Sequence, residues 1–316
     1  MLPTFILVIL TLALSTSVAQ AQMLRSAVDY QNRGLERQEK GDLDGALADY
    51  NQAVALKPDM TEAYNNRGNV KLAKGDLDGA IADFGKVLEL NPRDVYANYN
   101  RGIARMTKGD VDGAIAEFTS AIEITPNFAM AYNNRGSARK SKGDLDGAIA
   151  DYSAAIENNK DIYEGYYNRG IVRFEKRDFD SALADLNKAI DLSPTSGNAY
   201  LVRANVLQAR GNIRKAMSDY DKAVELSPGN ANVYHGRATA HQEAQDLTRA
   251  EADYTKAIEI DPNLAEAYVN RGVVRLLLGK VKEADQDFAL GFRLNPSLKP
   301  PLEKFIRDTK RARGGE

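Results

Sequence analysis

The sequence predicts an all-α fold: an α-solenoid (superhelix) of eight helix-turn-helix repeats with a C-terminal capping helix. Two patterns predict it. Small residues return every 34 positions, as Gly34, Gly68, Gly102, Gly136, Gly170, Ala204, Ala238 and Gly272. Each interval also holds two helical stretches divided by a turn. Composition agrees: 43% hydrophobic residues, with 42 Lys+Arg against 44 Asp+Glu, describe a folded chain rather than a disordered one.

Taken in chain order, residues 1–21 differ in kind from the rest. Phe5 to Leu14 is an apolar run broken only by Thr11, followed by small residues and Ala19-Gln20-Ala21. That order predicts a cleaved secretory signal peptide, with the cut before Gln22. The run is too short to span a bilayer, which takes ~20 residues. No Lys or Arg precedes it, so the α-amine alone supplies the positive end, and an uncleaved anchor is the alternative. The expected location is therefore exported, periplasmic or secreted, with membrane contact only if the leader is retained.

Counting the small residue as position 8 sets the repeats at 27–60, 61–94, 95–128, 129–162, 163–196, 197–230, 231–264 and 265–298. In the second, a helix from Ala63 to Lys74 is expected to stop at Gly75-Asp76, and another from Asp78 to Glu89 before Asn91-Pro92. Proline recurs there as Pro58, Pro92, Pro126, Pro194, Pro228, Pro262 and Pro296, with Lys160 in its place once. That exception predicts a looser or differently bent junction between repeats four and five. Alanine occupies position 20 throughout, facing larger residues such as Tyr64 and Tyr132 at position 4 and Tyr50 and Phe84 at position 24. Large side chains beside small ones let helices approach and interlock. Residues 299–316 close the chain as a cap helix and basic tail. Leu302, Phe305, Ile306 and Thr309 are expected to cover repeat eight, with Lys304, Arg307 and Lys310 turned outward.

The recurring set of a small position 8, alanine 20, a mostly aromatic 24, a mostly small 27 and proline 32 resembles the tetratricopeptide repeat family over residues 27–298. Three positions depart from that family's pattern. Position 4 is tyrosine in place of tryptophan, with Asn98 in repeat three, position 7 is arginine in place of leucine, and position 11 is mostly Lys or Arg in place of tyrosine. The resemblance implies a right-handed α-solenoid (superhelix) and a surface that binds proteins or peptides.

Arginine at position 7 (Arg33, Arg67, Arg101, Arg135, Arg169, Arg203, Arg237, Arg271) is matched by an acid at position 23 (Asp49, Asp83, Glu117, Asp151, Asp185, Asp219, Asp253, Asp287). Matched substitution on two packed helices predicts an internal ladder of ion pairs with a structural role. The Gly-Asp-Leu-Asp-Gly motif at 41–45, 75–79 and 143–147 reads as a helix start, since a calcium loop needs more oxygen ligands than its two acids supply. His235 and His241, six residues apart, do not share a helix face and are expected at the surface.

In this family positions 2, 6, 9 and 13 of the first helix face the concave groove. Here position 6 reads Asn32, Asn66, Asn100, Asn134, Asn168, then Val202 and Gly236, then Asn270. An amide offers a carbonyl and an NH₂, which suits it to pairing with the backbone of an extended chain. The run is similar to the asparagine ladder in the tetratricopeptide superhelix of the O-linked N-acetylglucosamine transferase, and only the peptide-holding role is implied. Tyr96, Tyr99, Ile103 and Met106, with Tyr167, Ile171 and Phe174, are expected to form apolar pockets between the amides. The break in repeats six and seven is expected to divide the surface into two regions.

Other classes find little support. Near-neutral charge argues against a nucleic-acid partner. The absence of cysteine removes thiol catalysis, cysteine zinc sites and disulfides. No nucleophile elbow, phosphate-cradling loop or paired-carboxylate cleft is present, so neither an enzyme nor a cofactor is expected. The expected function is a non-enzymatic scaffold of the cell envelope holding an extended protein segment in its groove. The alternative is an accessory subunit of a secretion, pilus or cell-wall machine that uses its convex face or ends.

Overall fold

A computed structural model describes residues 27–312, which form seventeen α-helices and one short 3₁₀ turn, with no strand among the described residues. The predicted leader lies outside them. The helices fall into two units divided between Asp144 and Leu145. The first holds α1 (Ala27–Glu39), α2 (Leu43–Leu56), α3 (Thr61–Ala73), α4 (Leu77–Leu90), α5 (Val95–Lys108), α6 (Val111–Ile124) and α7 (Ala129–Ser141). The second holds α8 (Leu145–Asn158), α9 (Tyr163–Glu175), α10 (Phe179–Leu192), α11 (Gly197–Ala209), α12 (Ile213–Leu226), α13 (Ala231–Glu243), α14 (Leu247–Ile260), α15 (Ala265–Leu277), α16 (Val281–Leu294) and α17 (Lys299–Ala312). Odd helices up to α15 are the first of each repeat and even ones the second. Within a unit each helix lies against its sequence neighbours, as a stacked solenoid requires.

The acidic motif makes the helix starts. Asp42, Asp76 and Asp110 accept hydrogen bonds from the amides of Gly45, Gly79 and Gly113 at 2.9, 3.0 and 2.9 Å. Each satisfies an N–H group that has no partner inside the helix. The preceding turn needs a left-handed residue, and Gly75 supplies it with φ of 80°. Arg177 and Gln245 adopt the same region at 62° and 63°. The second acid of the motif reaches the next repeat, as in Lys74 to Asp44 at 2.8 Å, and the pattern recurs in Lys108–Asp78, Lys142–Asp112 and Lys176–Asp146.

Burial follows the large-beside-small pattern. Alanines of position 20 such as Ala46, Ala80 and Ala114 are fully buried, as are the rings of Tyr50 and Phe84. A Cβ added at Gly68 would lie 2.8 Å from Cε1 of Phe84, so the ring occupies the space a side chain would take.

The charge ladder is internal, and it involves more positions than two. Arg67, Arg169, Arg203, Arg237 and Arg271 bind their acids through Nε and Nη2 at 2.5–2.9 Å. Arg33 pairs with Asp49, and Arg101 reaches Glu117 at 2.8 Å. Position 11 supplies a second cation to the same acid: Arg37 to Asp49 at 2.9 Å, Lys71 to Asp83 at 2.9 Å, Arg173 to Asp185 at 2.7 Å and Arg275 to Asp287 at 2.9 Å. The arginine in turn lies over the position 4 tyrosine, from 5.1 Å for Arg33 on Tyr30 to 5.9 Å for Arg169 on Tyr166. The three departures from the family pattern are thus parts of one polar cluster.

Three expectations need correction. The turn at Lys160 keeps the regular bonds, Asn159 N to Ala155 O at 2.9 Å and Ile162 N to Asn159 O at 3.3 Å, compared with 2.7 and 3.1 Å at Asn91 and Asp94. The donors flank position 32, so lysine there leaves both bonds in place. In the cap, Ile306 packs on Val273, Leu276, Ala284 and Phe288, but Phe305 is 38% exposed and Lys310 turns inward to pair with Asp285. The inward stripe runs Leu302, Ile306, Thr309, Lys310, a helical spacing that leaves Phe305 at its side. His241, expected at the surface, is 8% exposed. It stands at position 11, and its Nε2 lies 3.9 Å from Asp253, in the place of the second cation of other repeats.

Candidate functional site

The position 6 asparagines project from successive first helices. In the first unit Asn32 is exposed on α1, while Asn66, Asn100 and Asn134 are half-buried on α3, α5 and α7. Nδ2 of Asn100 donates to Oδ1 of Asn69 at 3.0 Å. Nδ2 of Asn134 donates to the Tyr99 hydroxyl at 2.9 Å, and its Oδ1 accepts from Nδ2 of Asn133 at 3.3 Å. In the second unit Asn168 is half-buried on α9, and Nδ2 of Asn270 on α15 lies 3.1 Å from Nε2 of His235. These bonds fix the amide orientations. An amide carries two N–H donors and two lone pairs, so a single bond to a neighbouring helix leaves hydrogen-bonding capacity.

An apolar pocket adjoins the track in the first unit. It measures about 190 Å³ and is lined by Ile103, Met106, Thr107, Phe118, Asn134 and Ser137. Tyr96 is 68% exposed beside Phe128, its ring 6.0 Å away, and Met130 is 55% exposed in the equivalent position of the next repeat. Tyr99 is placed differently from the expectation. It is 7% exposed, with its ring 4.9 Å from Phe128 and 5.8 Å from Phe118. Burial pushes its phenol pKa up, and only its hydroxyl reaches the track. Position 5 points between helices, a direction that hydrophobic spacing alone does not reveal. In the second unit Tyr167 stacks on Tyr163 at 5.5 Å, and Tyr167 and Phe174 pack half-buried against Ala182, Leu186 and Val206.

Where the asparagines stop there is a second, larger recess of about 590 Å³, lined by residues that include Asn205, Gln208, Tyr220, His235, Gly236, Thr239 and Glu243. It was not visible in the sequence beyond the interruption at Val202 and Gly236. Among the described residues no group of His, Cys, Asp and Glu is arranged to hold a metal ion, and no helix is long and apolar enough to cross a membrane.

Both histidines have pKa values lowered from 6.5, first by desolvation; Glu266 opposes the shift at His235, and Asp253 and Asp246 oppose it at His241. The folded state therefore favours neutral imidazole while the unfolded chain takes up a proton at the ordinary value. Their contribution to stability is present above pH 6.5 and is lost as pH falls through the lowered folded values. Amide exchange in residues 231–264 is expected to accelerate, relative to residues 265–298, as pH falls from about 7 to about 5, after correction for intrinsic exchange. His241→Arg, which restores the residue found as Arg37, Arg173 and Arg275, is expected to reduce that pH dependence. Equal behaviour of the two repeats at all pH values would refute the assignment.

The tetratricopeptide repeat profile matches residues 67–129, 133–197, 167–231 and 201–265. Related profiles match 34–75, described as TPR repeat, and 253–286, described as tetratricopeptide repeat. No curated protein matches the chain. Among solved structures it is similar to a tetratricopeptide repeat protein from Parabacteroides merdae, with TM-score 0.63, 20% identity and coverage of 79% of this chain and 99% of that one. The C-terminal part of a TPR repeat-containing protein from Cytophaga hutchinsonii gives 0.58 at 19% identity, covering 76% and 98%. The APC/C hetero-tetramer Cut9-Hcn1 gives 0.65 at 14% identity, covering 84% of this chain and 52% of that one. At these identities the likeness is one of fold.

Proposed function

Because the chain belongs to the tetratricopeptide repeat family, we propose that it is a non-enzymatic scaffold whose first-helix face holds an extended segment of a partner protein. The observation that carries this reading is the position of Asn134. Its amide is held by Tyr99 and Asn133, and it also forms one wall of the apolar pocket with Ile103 and Met106. A held amide beside an apolar recess suits a peptide, whose backbone and side chains alternate in the same way. The exposed Tyr96 and Met130 extend the apolar surface. The leader expected in residues 1–21 would bring this activity to the cell envelope.

The test is affinity capture from native envelope extract with residues 22–316, comparing the unaltered chain with one carrying Asn66, Asn100, Asn134 and Asn168 all as Ala. At about 0.5–1.5 kcal/mol per hydrogen bond, losing several amides is expected to weaken capture at least about tenfold with helix content unchanged. Equal capture would move the binding surface elsewhere. A second reading, binding through the C-terminal end, is favoured by the groove of about 490 Å³ floored by Phe288, Phe292 and Ile306 and rimmed by Lys299, Arg307 and Arg311. It predicts that capture survives the asparagine changes and fails when Arg307 and Arg311 become Glu.

A further inference from the structure

The recess at repeats six and seven has a chemistry of its own, and a glycine makes the room for it. Gly236 stands at position 6, where a Cβ would lie 2.7 Å from Cε1 and 3.3 Å from the hydroxyl oxygen of the buried Tyr220. Any side chain there would meet that ring, so in place of the amide of the other repeats the Tyr220 ring and hydroxyl line the recess.

The walls of this space are rich in acceptors. The Tyr220 hydroxyl lies 2.7 Å from Oδ1 of Asn205 and 2.5 Å from Oε1 of Gln208. It can donate its one proton to only one of them at a time. Nε2 of Gln208 donates to the Glu243 carboxylate at 2.8 Å, which aims the Gln208 carbonyl oxygen back at Tyr220. The Thr239 hydroxyl gives its proton to the Gly236 carbonyl at 2.7 Å and keeps its lone pairs. His235 is held at Nε2 by Asn270. Glu243 is the charged group of the lining, which contains no Lys or Arg, and Glu266 lies near enough to act on His235.

We propose that this recess is a side-chain pocket for a Lys or Arg of a segment held along the first helices of the second unit, with Glu243 as its counter-charge and the Asn205, Gln208 and Tyr220 oxygens as further acceptors. The proposal rests on the groove reading and adds a residue preference to it. A basic side chain lays its aliphatic stem along Leu201 and the Tyr220 ring, both of which line the recess, and places its N–H donors among the oxygens. An acidic side chain meets the like charge of Glu243 with no Lys or Arg in the lining to offset it. An apolar one takes water away from Glu243 and gives the carboxylate no counter-charge in return.

The experiment selects random dodecapeptides displayed on phage with the full chain, its Glu243→Gln variant and its Gly236→Asn variant. Recovered peptides are then remade with norleucine at any enriched basic position. Lys or Arg is expected at one fixed position for the unaltered chain. Replacing it by norleucine should weaken binding about three- to fivefold, the upper end for one exposed charge pair. With Glu243→Gln the Lys and norleucine peptides should bind within about twofold of each other, while Asn168→Ala, in the same unit as the recess, weakens both peptides alike. Gly236→Asn, which fills the recess, should abolish the preference; retained helix content shows that it folds, and Glu243→Gln decides the matter if it does not. Peptides enriched without a basic position, or a preference untouched by Glu243→Gln, overturn the pocket and leave the groove standing. No enrichment at all overturns the groove reading and the pocket with it.

Discussion

Replacing Arg203 with Ala is expected to cost about 3–5 kcal/mol, because it strands the Asp219 carboxylate in the interior. Asp219 is 7% exposed and takes both Arg203 bonds at 2.7 Å. Repeat six differs from its neighbours at position 11, where Leu207 stands in place of a second cation. In repeat two, by contrast, Lys71 stays within 2.9 Å of Asp83 when Arg67 is removed. Arg67→Ala should therefore cost clearly less, about half as much, since one counter-charge survives. The double change Arg203→Leu with Asp219→Leu is expected to be near neutral, because it removes both desolvation costs together. Urea denaturation with amide exchange read repeat by repeat measures all three, since solenoid repeats can open locally. A loss for Arg203→Ala no larger than that for Arg67→Ala would show that the second cation carries no weight.

Phe84→Ala is expected to cost a similar amount, about 3–5 kcal/mol, by opening a cavity that Gly68 and the single methyl of Ala80 cannot fill. Phe84, on α4, is fully buried against Gly68 of α3 and packs with Ala104 of α5, and the clearance at Gly68 shows that the helices are spaced by the ring itself. Phe84→Leu should cost only about 1–1.5 kcal/mol. Repeat five already uses Leu186 in the equivalent place against Gly170, with the added Cβ distance at 3.0 Å. The same denaturation measurement separates the two variants. Equal losses would mean that the site collapses around alanine, and the interlocking account of the core would be wrong.

The fold was legible because its period depends on backbone approach. Only Gly or Ala fits at positions 8 and 20, and helix starts need a short acceptor such as Asp42 or Asp76. The charge ladder was legible in part. The arginine of position 7 and the acid of position 23 recur together in every repeat, but Lys71 and Tyr64 look like unrelated departures until the structure places both around Arg67 and Asp83. Repeat three differs at two of these places: Asn98 stands at position 4 in place of tyrosine, Glu117 stands in place of aspartate, and Arg101 reaches it through Nη2 while its Nε is buried without a hydrogen-bond partner.

The candidate site was less legible. The asparagine run is plain in the sequence, but whether an amide faces a ligand or a neighbouring helix depends on residues 31 to 35 positions away, such as Asn69 and Tyr99. Tyr99 and His241 look exposed by residue type and are buried because the next helix covers them. The recess at Gly236 depends on the ring of Tyr220, which belongs to the preceding repeat.

The buried Arg–acid pairs close within a single repeat, while bridges such as Lys74–Asp44 close between one repeat and the next. A 34-residue segment thus carries its own counter-charge inside and complementary ends outside. Tandem duplication or loss of such a segment leaves no charge stranded in the interior and joins a compatible pair at the seam. Chain length is accordingly free to change by recombination between copies, which gives evolution a way to lengthen or shorten the binding surface in whole steps without rebuilding the core.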